Sequence, residues 1–215
     1  MIPEIIYNDN EICVTVKPVG VLSQESANND NMVSMLKDML KSEIYPLHRL
    51  DKEVGGVMVF SKTKASASKL SKDIANHNFC KEYLALVHNK PQELSGRFED
   101  FLFKDSTKNK VFVVKTERKG VKKAALDYEV IKTLTLNGQL FSLVKLRLIT
   151  GRTHQIRVQF ASRKMPLAGD KKYGAKDDFA TIGLFSKRLE FFHPKTNKML
   201  SFEAVPDNYL KDYIQ

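Results

Sequence analysis

The chain has 215 residues and a formal net charge of +10, with 42% hydrophobic and 28% charged residues. Enough apolar material is present for a sizeable core, which excludes wholesale disorder, and the length fits one domain spanning residues 1–215. Apolar runs such as Val57–Phe60 are far shorter than the roughly 20 residues of a membrane span. The start lacks the pattern of a signal peptide, so we expect a cytoplasmic location.

Hydrophobic patterns predict both strands and helices in the first half of the chain. The β-branched segment Ile12–Val16 is typical of a strand, and apolar residues at helical spacing from Met32 to Lys41 predict an amphipathic helix. A short buried strand is expected at Val57–Phe60. A helix is expected at Thr63–His77, and a strand at Tyr83–Val87.

The second half is predicted to contain more strands than helices. Alternating or β-rich segments predict four strands, at Tyr128–Ile131, Phe141–Ile149, Phe185–Phe192 and Met199–Phe202. Between the second and third of these, a turn at Gly151-Arg152-Thr153 leads into a short helix that ends near Arg163. Runs of strands with few helices between them indicate an α+β fold with a mainly antiparallel sheet.

The motifs of metal and nucleotide sites are missing. Cys13 and Cys80 lie far apart in strand-like segments, so two buried free thiols are expected. No Cys-x-x-Cys, His-Glu-x-x-His or Walker sequence occurs. A metal site therefore has little support.

The positive charge is concentrated in two stretches. Residues 104–123 carry eight basic and two acidic residues, a net of +6, and residues 145–176 carry nine and one, a net of +8. The rest of the chain is therefore at −4. Two solvated loops would account for this pattern, but a polyphosphate partner such as a nucleic acid accounts for it better. A membrane surface is disfavoured because neither stretch forms a clean amphipathic helix.

Three polar clusters lie where predicted elements begin or end, which is where functional groups often lie. They are His48-Arg49-Leu50-Asp51 followed by Gly55-Gly56, then Lys81-Glu82-Tyr83, and then residues 151–157. Singly, each has an ordinary explanation. The first could be a satisfied histidine and a surface ion pair of Asp51 with Arg49. The second could be a strand tyrosine with its hydroxyl in water, and the third could be the positive face of a helix that carries Arg152 and Arg157. The first cluster has no second carboxylate for a glycosidase-type pair, and no Gly-x-Ser-x-Gly motif occurs.

Taken together, the clusters resemble the RluA-type pseudouridine synthases, over almost the whole chain. The matching blocks, in order, are Val16–Leu22, His48–Asp51, Lys81–Val87, Lys122–Ala124 with Tyr128–Val130, Gly151–Val158, Gly169-Asp170 with Tyr173-Gly174, and Phe192–Pro194. The resemblance implies an α+β fold with a bent, mainly antiparallel mixed sheet flanked by helices, and an active-site cleft in the middle. It implies isomerisation of a uridine in transfer or ribosomal RNA, without metal or cofactor. The small RNA-binding module that some relatives carry at the N-terminus is not expected.

The resemblance also assigns catalytic roles. Asp51 would be the essential carboxylate, and Arg157 would pair with it and keep it ionised. Tyr83 would stack on the target base and help to remove its C5 proton. Arg49 would occupy the space left by the flipped uridine.

RNA contacts are expected from basic and histidine residues of the same blocks. These are His48, Arg152, His154, Lys122 and Lys123. The chain departs from the family pattern at four places, which bear on RNA contacts and on loop packing. Val54-Gly55-Gly56 replaces Thr-Ser-Gly, Gln159 replaces His, Lys164 lies near a usual Gly, and Phe185-Ser186 replaces His-Ala.

Two other functions stay open at this point. One is an RNA-binding or RNA-folding protein on the same scaffold that has lost catalysis. The other is a hydrolase or nuclease that uses His48, His154 and Asp51, although it would need a nucleophile or metal that the sequence does not offer. A monomer is the default expectation.

Overall fold

The computed structural model describes residues 2–27, 30–206 and 209–213. In these ranges the strands are β1 Glu4–Asn8, β2 Ile12–Lys17, β3 Tyr45–Pro46, β4 Gly55–Ser61, β5 Phe79–His88, β6 Ser95–Asp105, β7 Lys110–Val114, β8 Val121–Leu136, β9 Gln139–Leu148, β10 Leu184–Phe192 and β11 Met199–Glu203. The helices are α1 Met32–Leu40, α2 Lys64–Ala75 and α3 Gln155–Ala161. Short 3-10 turns lie at Lys171–Tyr173 and Tyr209–Tyr213.

The chain divides into two compact units. The first unit comprises Met1–Lys81 and Phe185–Pro206, and the second comprises Glu82–Leu184 and Asp207–Gln215. The expectation of one domain over residues 1–215 stays a prediction.

The first unit is built on the strand order β1-β2-β4-β10, with β11 paired to β10 and β3 paired to β4. All of these pairs are antiparallel except β4 with β10. Strand β4 is buried along its whole length, because strands flank it and α2 covers it. Its Val57 and Val59 pack with Leu70 of α2 and with Leu189 and Phe191 of β10.

Side-chain caps fix the starts of both helices in this unit. Asn31 and Thr63 lie just before α1 and α2, and each accepts a hydrogen bond from the backbone N–H three residues later. Such caps satisfy amide groups that have no partner within the helix.

The second unit is an antiparallel sheet in the order β5-β9-β8-β6-β7. Helix α3 lies against β6 and β7. Buried side chains of the strands and of the segment 155–173 join there in one apolar cluster, made of Leu102, Val111, Ala124, Val158 and Tyr173.

The α+β class with a mainly antiparallel mixed sheet is confirmed, and so is the approximate placement of each predicted element. Strands β1, β3, β6 and β7 were not predicted, and β8 is much longer than expected. The basic stretch 104–123 is therefore not two solvated loops alone: it contains the end of β6, all of β7 and the start of β8, joined by exposed turns. Cys80 is partly exposed, so the expectation of two buried thiols is correct only for Cys13. In the part of the chain that the structure describes, no helix is long and apolar enough to cross a membrane.

Candidate active site

His48, at the start of the block that contains Asp51, is held by the backbone of β4. Its Nε2 accepts a hydrogen bond from the Val59 N–H at 3.2 Å, and its ring lies 5.9 Å from that of Phe79. Burial, together with the charge of Lys81, holds the pKa of His48 well below its usual value. The ring is therefore neutral and is bound to the backbone through Nε2, whereas its buried Nδ1 has no hydrogen-bond partner among the described residues. The RNA-binding role itself stays a prediction.

The backbone beside Asp51 is fixed by a buried serine. The Leu50 N–H donates to Ser23 Oγ at 2.9 Å, and Ser23 Oγ donates back to the Leu50 carbonyl at 2.8 Å. The carbonyl of Asp51 accepts from the Val54 N–H at 3.0 Å, which closes a turn. The half-buried Asp51 thus lies in a segment whose backbone is hydrogen-bonded on both sides of it, at Leu50 and at Val54.

Lys17, at the end of β2, is a structural residue. It is only 1% exposed, and its Nζ donates to the carbonyls of Pro18, Val21 and Lys52. Burial lowers the pKa of Lys17 to about 8, although the nearby carboxylates of Glu53 and Asp51 oppose that shift. A lysine at the end of a strand is usually a surface residue, but here the segment after β2 wraps around the ammonium group.

Gly56, the second residue of β4, occupies a position that requires a glycine. Its φ of +123° is rare for side-chain residues, and a Cβ there would lie 2.3 Å from the Ser186 carbonyl oxygen. This close approach lets β4 pair in parallel with β10, through Gly55 with Phe185 and Gly56 with Ser186.

Arg49 and Tyr83 differ in exposure. The Arg49 side chain is exposed, as a residue that enters RNA requires. Tyr83 lies in β5, where it pairs with Leu146 of β9, and it is 5% exposed.

Arg157 of α3 is buried, and one edge of its guanidinium group binds a carboxylate through two hydrogen bonds. Its Nε and one terminal nitrogen donate to the two carboxylate oxygens of Asp170 at 2.7 and 2.9 Å. The guanidinium carbon also lies 5.2 Å from the centre of the Tyr173 ring. The expected pairing of Arg157 with Asp51 stays a prediction.

Asp170 is itself fixed by the loop that carries it. The N–H of Gly169, the residue before Asp170, donates to both carboxylate oxygens of Asp177. One of these oxygens, Oδ2, also lies 2.5 Å from His88 Nε2. Gly169 has a φ of +73°, and a Cβ there would meet the Thr181 carbonyl oxygen at 2.0 Å.

His154 precedes α3 in the left-handed backbone region, with φ 49°. Its Nδ1 lies 2.9 Å from the hydroxyl of Tyr173, which also accepts from the Val111 N–H at 2.9 Å. The Nδ1 atom of His154 thus has a hydrogen-bond partner within the protein. A phosphate contact through Nε2 stays a prediction.

Gln155 fastens the turn that contains Arg152. Its Oε1 accepts from the Thr150 hydroxyl at 2.7 Å and from the Arg152 N–H at 3.0 Å, while its Nε2 donates to the Ala125 carbonyl. The exposed Arg152 side chain donates through Nε to the Lys123 carbonyl at 3.1 Å.

The lysines predicted to contact RNA, Lys122 and Lys123, lie exposed on adjacent positions of β8. The departures from the family pattern at Gln159, Phe185 and Ser186 are all fully buried. They act in packing rather than in direct RNA contact. Lys164 has a φ of +62°, the conformation that favours a glycine.

Sequence reasoning missed the residues that anchor the predicted site residues within each unit. Ser23 carried no motif, and Lys17, Gln155 and Asp170 stood only as part of the matching blocks. Several of their partners lie far away in sequence, such as Leu50 for Ser23, Lys52 for Lys17 and Ala125 for Gln155, so local spacing did not identify these contacts. Among the described residues, no three or more His, Cys, Asp or Glu side chains are grouped as metal ligands would be.

Comparison with known proteins places these residues in context. A family profile described as RNA pseudouridylate synthase matches residues 11–162. An uncharacterized RNA pseudouridine synthase of Mycoplasma pneumoniae is 31% identical over 97% of this chain and 68% of the relative. Ribosomal large subunit pseudouridine synthase D of Borreliella burgdorferi is 33% identical over 86% of the chain and 60% of the relative. The chain thus spans about two thirds of the length of these two proteins.

A third relative is close to this chain in length, and one solved structure matches the fold. The tRNA pseudouridine synthase C of Haemophilus ducreyi is 30% identical over 95% of the chain and 91% of the relative. The structure of human RNA Pseudouridylate Synthase Domain Containing 1 superposes with a TM-score of 0.81 at 22% identity, covering 98% of this chain and 85% of that one.

Proposed function

Since the chain belongs to the RNA pseudouridylate synthase family, we propose that it converts a specific uridine of transfer or ribosomal RNA into pseudouridine, with Asp51 as the essential carboxylate. One observation carries the proposal: the matched range 11–162 contains Asp51, Tyr83 and Arg157 together. Relatives named for transfer RNA and for large-subunit ribosomal RNA support the substrate class.

The reaction needs only groups that a protein chain supplies. The bond between C1′ and N1 of uridine breaks, the base turns over, and C5 bonds to C1′. C5 then loses its proton and N1 takes one up, so atoms and electrons balance and no oxidant, reductant or co-substrate enters. The reactive carboxylate must meet the nucleotide in a fixed orientation, and the anchoring of Leu50 by Ser23 supports that role for Asp51.

The remaining roles are those that the family resemblance implies for these residues. Tyr83 offers an aromatic face for the base and a hydroxyl for removal of the C5 proton. Arg49 is exposed and fills the space of the flipped nucleotide, which compensates part of the unstacking energy. Arg157, whose guanidinium group is oriented by two hydrogen bonds to Asp170, supplies a fixed positive charge. The sequence-based expectations of a monomer and of a cytoplasmic location stay predictions.

The test is release of tritium from unmodified RNA labelled at C5 of uridine. C5 must lose its hydrogen in this reaction, so release to water reports the chemistry directly. We expect release from RNA of cells that lack their own pseudouridine synthases, and none from the same RNA labelled at C5 of cytidine.

Three outcomes would contradict the proposal. RNA that binds without release would indicate the binding protein that has lost catalysis. Shortened RNA, or release abolished by a chelator, would indicate the hydrolase or nuclease instead. Release that is equal from uridine and cytidine labels would show that the chemistry is not uridine isomerisation.

A further inference from the structure

The sheet formed by β6, β7 and β8 has an aromatic face that the proposed reaction does not use. Residues two apart in a strand point to the same side, so Phe101 and Phe103 share one face of β6. Phe112 of β7 pairs directly with Phe103 and joins that face. We call these three residues the aromatic face.

The opposite side of the same strands is packed. Leu102 of β6, Val111 of β7 and Ala124 of β8 are buried against Val158 of α3 and against Tyr173. The core of this part of the unit is thus complete without the three phenylalanines. Phe112 is 37% exposed, and Phe101 and Phe103 are partly exposed.

Each ring of the aromatic face has a cation beside it. Lys123 Nζ lies 5.8 Å from the ring centre of Phe101, and Arg118 lies 5.4 Å from that of Phe103. Lys110 Nζ lies 5.9 Å from that of Phe112. The surrounding stretch, residues 104–123, carries a net charge of +6.

This combination fits an anion that also presents flat apolar surfaces. Single-stranded nucleic acid does so, because its phosphates lie beside unstacked bases. Duplex RNA offers the phosphates but hides its bases in the stack, and an acidic peptide offers charge without a regular series of planar groups.

We propose that the aromatic face of Phe101, Phe103 and Phe112 is a second RNA site, which stacks unpaired bases of a single-stranded segment. This site shares with the proposed function only the premise that the partner is RNA. It would bind sequence-tolerantly, because every base has a face that can stack.

The cations and the bases would exchange places on binding. The Lys123 side chain is 73% exposed, and its ion pair with Glu117, at 3.8 Å, is exposed as well. Its ammonium group can therefore exchange both the carboxylate and the Phe101 ring for a phosphate. A base then takes the ring surface that the ammonium group covered. Phe101 and Phe103 are two residues apart, about 7 Å along the strand, which is comparable to the stride of one nucleotide in an extended strand.

The chain contains no tryptophan, so a single introduced tryptophan is a specific reporter. We would make Phe112→Trp and titrate it with a single-stranded uridine-rich oligonucleotide, with the matching RNA duplex, and with heparin. Stacking quenches indole fluorescence. We expect saturable quenching by the single strand and little by the duplex or by heparin, a polyanion without bases.

The matched control is Ile131→Trp. Ile131 is an exposed strand residue of β8 as well, at 50% exposure, but it lies outside the aromatic face. We expect no quenching there. Equal quenching at both positions, or quenching at position 112 by heparin to the same extent, would overturn the proposal.

A pair of conservative variants tests whether the ring itself matters. Phe112→Leu keeps an apolar side chain and loses the aromatic surface, so we expect single-strand affinity to fall about fivefold to 150-fold. Phe112→Tyr keeps the ring and should bind within about twofold of the parent. Equal affinity of the leucine variant and the parent would also overturn the proposal.

The tritium-release assay keeps the two proposals apart. Release by the parent without quenching of the tryptophan at position 112 leaves the isomerase and removes the aromatic site. Quenching without release leaves the aromatic site and removes the isomerase.

Discussion

The segment around Asp51 and the sheet of β6, β7 and β8 are stabilised in opposite ways. Around Asp51, buried side chains bind backbone groups: Ser23 holds Leu50, and Lys17 holds three carbonyls. On the sheet, ion pairs such as Arg97 with Asp127 lie in solvent. The first region fixes the position of a few atoms, whereas the second presents movable charge.

The difference matches two different tasks. Chemistry on a nucleotide needs a carboxylate held to within a fraction of an ångström, and buried hydrogen bonds provide that. Affinity for a polyanion needs accessible cations that adapt to the phosphates, and it responds to salt. The four predictions below would separate these tasks or show that they are not separate.

The largest expected effect is on turnover at Asp51. Asp51→Asn keeps the size of the side chain but removes its negative charge, so turnover in the tritium assay should fall at least about a thousandfold, roughly 4 kcal/mol of barrier. RNA affinity, measured by fluorescence anisotropy, should change little. The matched control is Glu53→Gln, an exposed carboxylate two residues away, which should keep its activity. Activity of Asp51→Asn within tenfold of the parent would refute the catalytic assignment.

The next effect compares two similar ion pairs in different surroundings. Arg157 with Asp170 and Arg97 with Asp127 both make two hydrogen bonds, but the first pair is buried and the second is exposed. Asp170→Ala leaves a buried guanidinium group without its carboxylate, which should lower the free energy of unfolding by about 3 kcal/mol. Asp127→Ala should lower it by less than about 1 kcal/mol. Urea unfolding measures both, and equal losses would contradict the contrast between the regions.

The third prediction concerns acid stability through His48. The native state holds the pKa of His48 well below its usual value, whereas the unfolded chain takes up the proton near about 6.5. Above that pH the neutral His48 of the folded state has no effect on stability. Below it, only the unfolded chain takes up the proton, so the free energy of unfolding falls by up to about 1.4 kcal/mol per pH unit.

His48→Gln should remove this part of the pH dependence, because glutamine does not titrate. Unfolding in urea between pH 7 and pH 5 measures it. The same pH dependence in His48→Gln as in the parent would contradict this prediction. An RNA-binding role for His48 would instead show as weaker RNA affinity of His48→Gln at pH 7, where the fold is stable.

The sequence predicts the elements that follow a clear period and misses those that do not. Helix α1 and strand β9 have strong apolar patterns and lie where expected. Strands β6 and β7 mix lysines, phenylalanines and turn residues, and their pattern becomes clear only once α3 is packed on one side. Charge density there suggested loops, because the burial of Leu102 and Val111 depends on distant residues.

The candidate site is predicted in part for the same reason. Asp51, Tyr83 and Arg157 could be named because they lie within blocks that resemble a known family. Lys17 could not be recognised as structural, since its three carbonyl partners come from a turn and from residue 52, 35 positions away. The partner of Arg157 was expected to be Asp51, a pairing that stays a prediction, whereas Asp170 was not assigned any contact although it binds two of the three guanidinium nitrogens.

The smallest expected effect belongs to the exposed lysines of β8. If Lys122 and Lys123 each contact one phosphate, replacing both by glutamine should flatten the slope of log affinity against log salt by about 1.4, at about 0.7 per contact. Turnover at saturating RNA should not change, because the lysines supply affinity rather than chemistry. The control replaces Lys64 and Lys72, exposed residues of α2, and should leave the slope unchanged. An unchanged slope in the first variant would show that neither lysine contacts an RNA phosphate, and the division between a positioning region and an affinity region would then fail.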